Sequence, residues 1–136
     1  MGFKHNGLEV KPVEGMGRGV FATKTIKANT LIFVSDVVTY STAMADSLAD
    51  SGMDEWVNDY QFFWSPAEND VPEMCAVVLS EGTLINHSLT QTNVKYVPDL
   101  KDEVMLFYTS RDIVAGEQLF ICYDENLDDN LEPIDK

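Results

Sequence analysis

The feature that most constrains this chain is a succession of β-branched and aromatic runs cut by turn residues. "TLIFVSDVVTY", "NVKYV", "EVMLFYTS" and "QLFICY" are rich in residues whose branched or flat side chains pack well on a pleated surface. Lys27-Ala28-Asn29 and Val114-Ala115-Gly116 read as turns. "GLEVKPVE" alternates apolar and polar residues, but Pro12 removes a backbone donor, which suits an edge strand. From Met44 to Trp64 the character changes: helix formers, turn residues and large aromatics mix, and an irregular helical insertion is expected. "PEMCAVVLSEG" reads as a short helix, with Pro72 near its start and Gly82 closing it. Strands flanking a single insertion lack the βα alternation of a doubly wound parallel sheet. The expected fold is mostly β with a small helical insertion.

At 136 residues, with 45% hydrophobic content, the chain can bury one core, and it is read as a single domain over 1–136. The core is placed at about 8–125 and an acidic tail at 126–136. The formal net charge is −14, so no basic face is available for nucleic acid, whereas cationic partners are attracted. Cys75 and Cys122 are too few for a disulfide framework or a zinc cluster, which points to a reducing compartment. The start, "MGFKHNGLEVK", has no apolar signal core, and no apolar run approaches the roughly 18 residues of a membrane helix. An intracellular protein, nuclear or cytoplasmic and without membrane attachment, is expected. "DENLDDN" spaces oxygen ligands as a calcium loop does, but Asp129 stands where that loop needs glycine, so no metal is assigned.

Two stretches carry chemistry. "VEGMGRGVFA" places Gly15, Gly17 and Gly19 at alternate positions after an acidic residue. In a Rossmann-type methyltransferase such glycines would precede a helix, but "VFATKTIKANT" has no helical period. A glycine hairpin and a loop that grips a small ligand through its backbone both stay open. The second stretch, "EGTLINHSLTQTN", sets Asn86, His87 and Ser88 directly after an apolar Leu84-Ile85 pair. Burying such groups without partners costs roughly 1–3 kcal/mol each. The trio is therefore exposed in a loop, or something satisfies it.

Taken in order, "EGMGRGVFATKTIKANTLI", "GTLINHS" with Asn93 beyond it, and "RDIVAGEQLFICYDE" resemble the three signature blocks of the SET domain family of protein-lysine methyltransferases. The resemblance covers most of the chain from about Glu14 to Glu125, and the short form resembles the minimal SET proteins of viruses and microbes. It implies a β-clip-type fold of short sheets with a knot-like C-terminal crossing, and S-adenosylmethionine as cofactor. By residue it implies that Asn86 and His87 meet the adenine end, while Met16, Gly17 and Arg18 line the methionine end. Tyr60 would wall the active site. Tyr123 would be the catalytic tyrosine, with Ile121 beside it in the lysine channel, and Asn93 would pin the crossing. Two departures stand out. Asn86 and Asn93 lie seven positions apart where the family usually has six, with Thr92 in place of a proline. No cysteine-rich segment follows Tyr123, so the cover of the cofactor falls to the acidic tail, an aromatic of the insertion or a second subunit in a homodimer.

The implied reaction transfers a sulfonium methyl to a lysine ε-amine, which must first be neutral. With a free pKa near 10.4, only on the order of one amine in a thousand is neutral at pH 7, a deficit of roughly 4 kcal/mol. An aromatic channel that desolvates the ammonium, and the cofactor's own charge, would remove it without a dedicated base. Isoleucine at 121 offers no hydroxyl to anchor a water, which favours more than one methyl transfer. The acidic surface suits a basic, lysine-containing protein, a histone being preferred. The alternative is a non-catalytic SET-fold module that binds a peptide or partner.

Overall fold

The computed structural model describes residues 2–44, 47 and 61–122. The described strands are β1 (Phe3–Lys4), β2 (Leu8–Val13), β3 (Gly17–Ala22), β4 (Leu31–Ser41), β5 (Gln61–Ser65), β6 (Met74–Val78), β7 (Asn86–His87), β8 (Val94–Asp99), β9 (Val104–Thr109) and β10 (Phe120–Ile121). The main sheet has the order β5-β6-β4-β9-β8-β10-β7, and β1 pairs with β4 outside that path. Strands β2 and β3 form a separate antiparallel hairpin in which Pro12 faces Arg18. Pro12 can sit there because β2 pairs only with β3 among the described strands.

Strand β4 organises the sheet. Its eleven residues are long enough to pair with β9 through Asp36 and then with β6 from Val37 onward. Phe33 and Phe107, on these neighbouring strands, meet edge to face with ring centroids 5.9 Å apart. Phe62 from β5 packs on Phe107 at 5.7 Å and on Tyr96 at 4.9 Å, so the β-rich halves of the chain share one aromatic core. Such edge-to-face pairs add about 0.5–1.5 kcal/mol each beyond the area they bury.

Two local expectations fail. Met74–Val78, expected in a helix over 72–82, is strand β6, and within that stretch helical winding begins only at the 3₁₀ turn Glu81–Leu84. The cause is tertiary: β6 lies between β4 and β5 and is laddered on both edges, which fixes an extended backbone whatever the local propensity. Ser80 caps that turn, its side chain accepting a hydrogen bond from the Gly82 N–H at 3.0 Å. Likewise Phe62–Trp64, expected in the helical insertion, belong to β5, with Phe62 and Trp64 buried. Most of the insertion, at 45–46 and 48–60, lies outside the described residues, as does everything beyond Cys122, including the acidic tail and the calcium-like stretch.

Candidate active site

The site is built where the end of the described chain passes between two earlier strands. β10 runs parallel to β7, pairing Phe120 with Asn86 and Ile121 with His87, and parallel to β8 through Ile121 and Val94. Because β7 and β8 are joined by residues 88–93, β10 occupies the slot that this connection spans. Asn93, fully buried, holds it there. Its Nδ2 donates to the Gln118 carbonyl at 3.0 Å, and its Oδ1 accepts the Phe120 N–H at 2.8 Å. Its backbone N–H donates to the Phe120 carbonyl at 3.0 Å, and its own carbonyl accepts the Ser110 N–H at 2.8 Å. One buried asparagine thus has both side-chain ends and both backbone groups satisfied, which is what a polar residue at 0% exposure requires.

The three distant blocks converge on Asn86. Its Nδ2 donates to the Arg18 carbonyl at 3.1 Å and to Gln118 Oε1 at 2.9 Å. The hairpin is tied to the same segment by backbone bonds, Leu119 N–H to Val20 C=O at 2.8 Å and Ala22 N–H to Glu117 C=O at 2.9 Å. Gly19 lets these elements approach: a Cβ there would lie 2.6 Å from Gln118 Oε1 and 3.0 Å from Asn86 Nδ2. Gly15 and Gly17 serve differently. Both have positive φ, +80° and +76°, and open space where a Cβ would stand, so they turn the hairpin and leave its surface uncovered. Met16 is 49% exposed, and Arg18 and His87 are exposed beside it in sequence and across the Asn86 contact.

The additional residue between Asn86 and Asn93 is absorbed in a self-bonded loop. Ser88 Oγ accepts the Gln91 N–H at 2.9 Å and the Thr90 N–H at 3.3 Å, and Thr92 Oγ1 donates to the Ser88 carbonyl. The Ser88 N–H reaches the Ile121 carbonyl at 3.0 Å, so the loop is fastened to β10 as well. Next to it, the Arg111 guanidinium bonds Glu117 Oε2 at 2.7 Å. That bond, with the Val114 N–H and Asn93, outweighs partial burial and holds the Glu117 carboxyl below its usual value. Gln118 and Glu117 also line a cleft of about 410 Å³ together with Thr90, Gln91, Arg111 and Phe120.

Of the residues singled out in the sequence, the structure brings Met16, Gly17, Arg18, Asn86, His87 and Asn93 to this one region. Ile121 lies in β10 at 1% exposure, packed in the hydrophobic core. Tyr60 and Tyr123 lie outside the described residues. Gln118 is the site residue that sequence reasoning passed over. Its signal was its place in "GEQLFICY", three residues before Ile121, but nothing in the sequence tells which amide meets which.

A family model for the SET domain matches residues 17–124. Over 120 residues the chain is 31% identical to a Schizosaccharomyces pombe protein, "Histone-lysine N-methyltransferase, H3 lysine-37 specific", covering 88% of this chain and 75% of the relative. Its fold is shared with CpSET8 from Cryptosporidium (20% identity, TM-score 0.66, 87% of this chain and 57% of that one). It is shared also with DIM-5, a histone lysine methyltransferase SET domain protein of Neurospora (21% identity, TM-score 0.66, 87% and 52%). The chain spans a little over half the length of those two structures. It belongs to the SET domain family, and its class is that of the SET methyltransferases.

Proposed function

We propose that the protein, a lysine methyltransferase by class, transfers the methyl group of S-adenosylmethionine to lysine ε-amino groups of a basic protein, a histone being the favoured substrate. The observation that carries this reading is the convergence at Asn86, where hairpin, NHS segment and final strand meet beside an uncovered glycine turn. The residues fit such a cofactor. Gly15 and Gly17 face open space that a Cβ would enter, so backbone can approach a ligand closely, and exposed Met16, Arg18 and His87 flank it. Asn86 and His87 would hold the adenine end and Met16 to Arg18 the methionine end. When bound, the cofactor supplies the electrophilic methyl on a sulfonium.

The chain's own residues have the remaining tasks. Tyr123, one residue beyond the buried Cys122, is assigned the orientation of the incoming amine through its hydroxyl. Positioning of this kind contributes several kcal/mol. A free tyrosine phenol titrates near 10 and is a poor base at neutral pH, so the role assigned to Tyr123 is geometric. Tyr60 would wall the lysine channel. Ile121, without a hydroxyl to hold a water, leaves room for more than one methylation. The net charge of −14 raises the local concentration of a cationic substrate. The work is assigned to the interior of the cell, nuclear or cytoplasmic.

The test is incubation with isotopically labelled S-adenosylmethionine and a panel of histones and other basic proteins, read by mass spectrometry. Label on lysine, lost in Tyr123→Phe while calorimetry still shows cofactor binding, is the expected result. Absence of any lysine label alongside intact peptide binding would move the protein to a non-catalytic SET module. A product confined to monomethyl-lysine would remove the role given to Ile121.

A further inference from the structure

The cofactor reading gives Asn86 a binding role, and the direction of its carboxamide is fixed by two acceptors, the Arg18 carbonyl and the Gln118 side chain. The geometry points to Gln118 as a positioning residue for cofactor binding that acts through Asn86, an inference that rests on S-adenosylmethionine lying against this juncture. The backbone oxygen of Arg18 can only accept, so the Asn86 atom 3.1 Å from it is Nδ2. The Gln118 atom 2.9 Å from that same nitrogen must then be an acceptor, Oε1. Both amide hydrogens of Asn86 are thereby used, and Oδ1 is the remaining polar atom of the side chain. A carbonyl oxygen suits what S-adenosylmethionine carries in number: an adenine amino group, ribose hydroxyls and an α-ammonium, all donors.

Without the Gln118 acceptor, one Asn86 hydrogen loses its partner. The terminal torsion of asparagine is broad, and with the Arg18 carbonyl as its one remaining anchor the carboxamide swings more widely, so Oδ1 is held less firmly in place. Gly19 supports the same arrangement, since a Cβ there would lie 2.6 Å from Gln118 Oε1. The backbone of Gln118 is held separately, through its carbonyl to Asn93 Nδ2 at 3.0 Å and through its bridge to Phe21. Changes to the Gln118 side chain therefore reach the amide contact while sparing the crossing of β10.

The experiment compares wild type, Q118E, Q118L and G19A as full chains, measuring S-adenosylmethionine affinity by calorimetry and the melting temperature without ligand. Q118E keeps an acceptor and should bind within about threefold of wild type, whereas Q118L should bind about tenfold more weakly, as expected when one hydrogen bond is left unmade. Its unliganded melting temperature should stay close to that of wild type. In turnover, the loss should fall on KM for the cofactor more than on kcat. G19A, which displaces the same amide, should weaken binding in the same direction. Equal affinity in Q118L and wild type, or equal loss in Q118L and Q118E, overturns the inference while leaving the cofactor reading intact. A wild-type protein that binds no S-adenosylmethionine overturns both. Should Q118L not fold, Q118A against Q118E makes the same comparison.

Discussion

Replacing Asn93 with alanine removes one donor and one acceptor from a fully buried position and strands two backbone groups. The Gln118 carbonyl loses its bond from Nδ2, and the Phe120 N–H loses Oδ1. Each buried group left unsatisfied costs about 1–3 kcal/mol. A small cavity adds to that, so Asn93→Ala should destabilise the protein by about 3–5 kcal/mol. A domain of this size has only about 5–15 kcal/mol to lose, so the variant should melt roughly 10–15 °C lower. Asn93→Asp separates the two contacts: it keeps the acceptor for Phe120 but sets a carboxylate oxygen against the Gln118 carbonyl, and should be at least as damaging. The assay is urea unfolding followed by tyrosine and tryptophan fluorescence, with the midpoint moving at unchanged slope. A loss under about 1 kcal/mol would refute the reasoning, because it would mean the slot holds β10 without this residue.

Further expectations follow from other parts of the structure. Gly17→Ala should cost about 1 kcal/mol through its φ of +76° alone, since no atom lies within 4 Å of the new Cβ; a neutral result in the same urea assay would contradict the backbone geometry. Glu117 has a folded pKa below its unfolded value, chiefly through Arg111, so its contribution to stability is present above the ordinary carboxylate range. That contribution is lost as pH falls through the depressed value, and Glu117→Gln should flatten this part of the acid limb, an outcome read from melting temperatures between pH 6 and 3. Methylation of a basic peptide should lose kcat/KM as salt rises, given the charge of −14, and a flat salt profile would remove electrostatic steering from the account.

The sequence revealed its strands and turns because those are local. Asn29 and Gly116 adopt positive φ in the expected turns, and the runs at Leu31–Ser41 and Val104–Thr109 are strands. It misread Met74–Val78 because that segment's state is decided by β4 and β5, which lie elsewhere in the chain. The site divides the same way. The glycine turn and the Asn-His pair were visible as motifs, but the meaning of a buried asparagine depends on what crosses it. Asn93 makes four hydrogen bonds to three residues, Ser110, Gln118 and Phe120, and no spacing rule in the neighbourhood of position 93 announces them. Gln118 was hidden for a related reason: its chemistry lies in pairing with Asn86 and in the missing side chain at Gly19.

These dependencies tie the site to one strand. β10 is parallel to both of its neighbours and lies between them, so it cannot form by simple hairpin extension. β7 pairs only with β10 among the described strands, so the two form together, and they join residues far apart in the sequence, Asn86 with Phe120 and His87 with Ile121. The same step brings Gln118 to Asn86 and seats the Glu117–Leu119 backbone against β3. Without that pairing, the hairpin and the Asn86 segment are not tied through Gln118. The juncture assigned to the cofactor is therefore complete only in the fully folded chain. A ligand that binds there binds the native state alone, and at a hundredfold excess over its Kd would stabilise the crossing by about 2.7 kcal/mol. Stability and affinity are thus linked through one strand: whatever loosens β10 weakens the site, and whatever fills the site holds β10 in its slot.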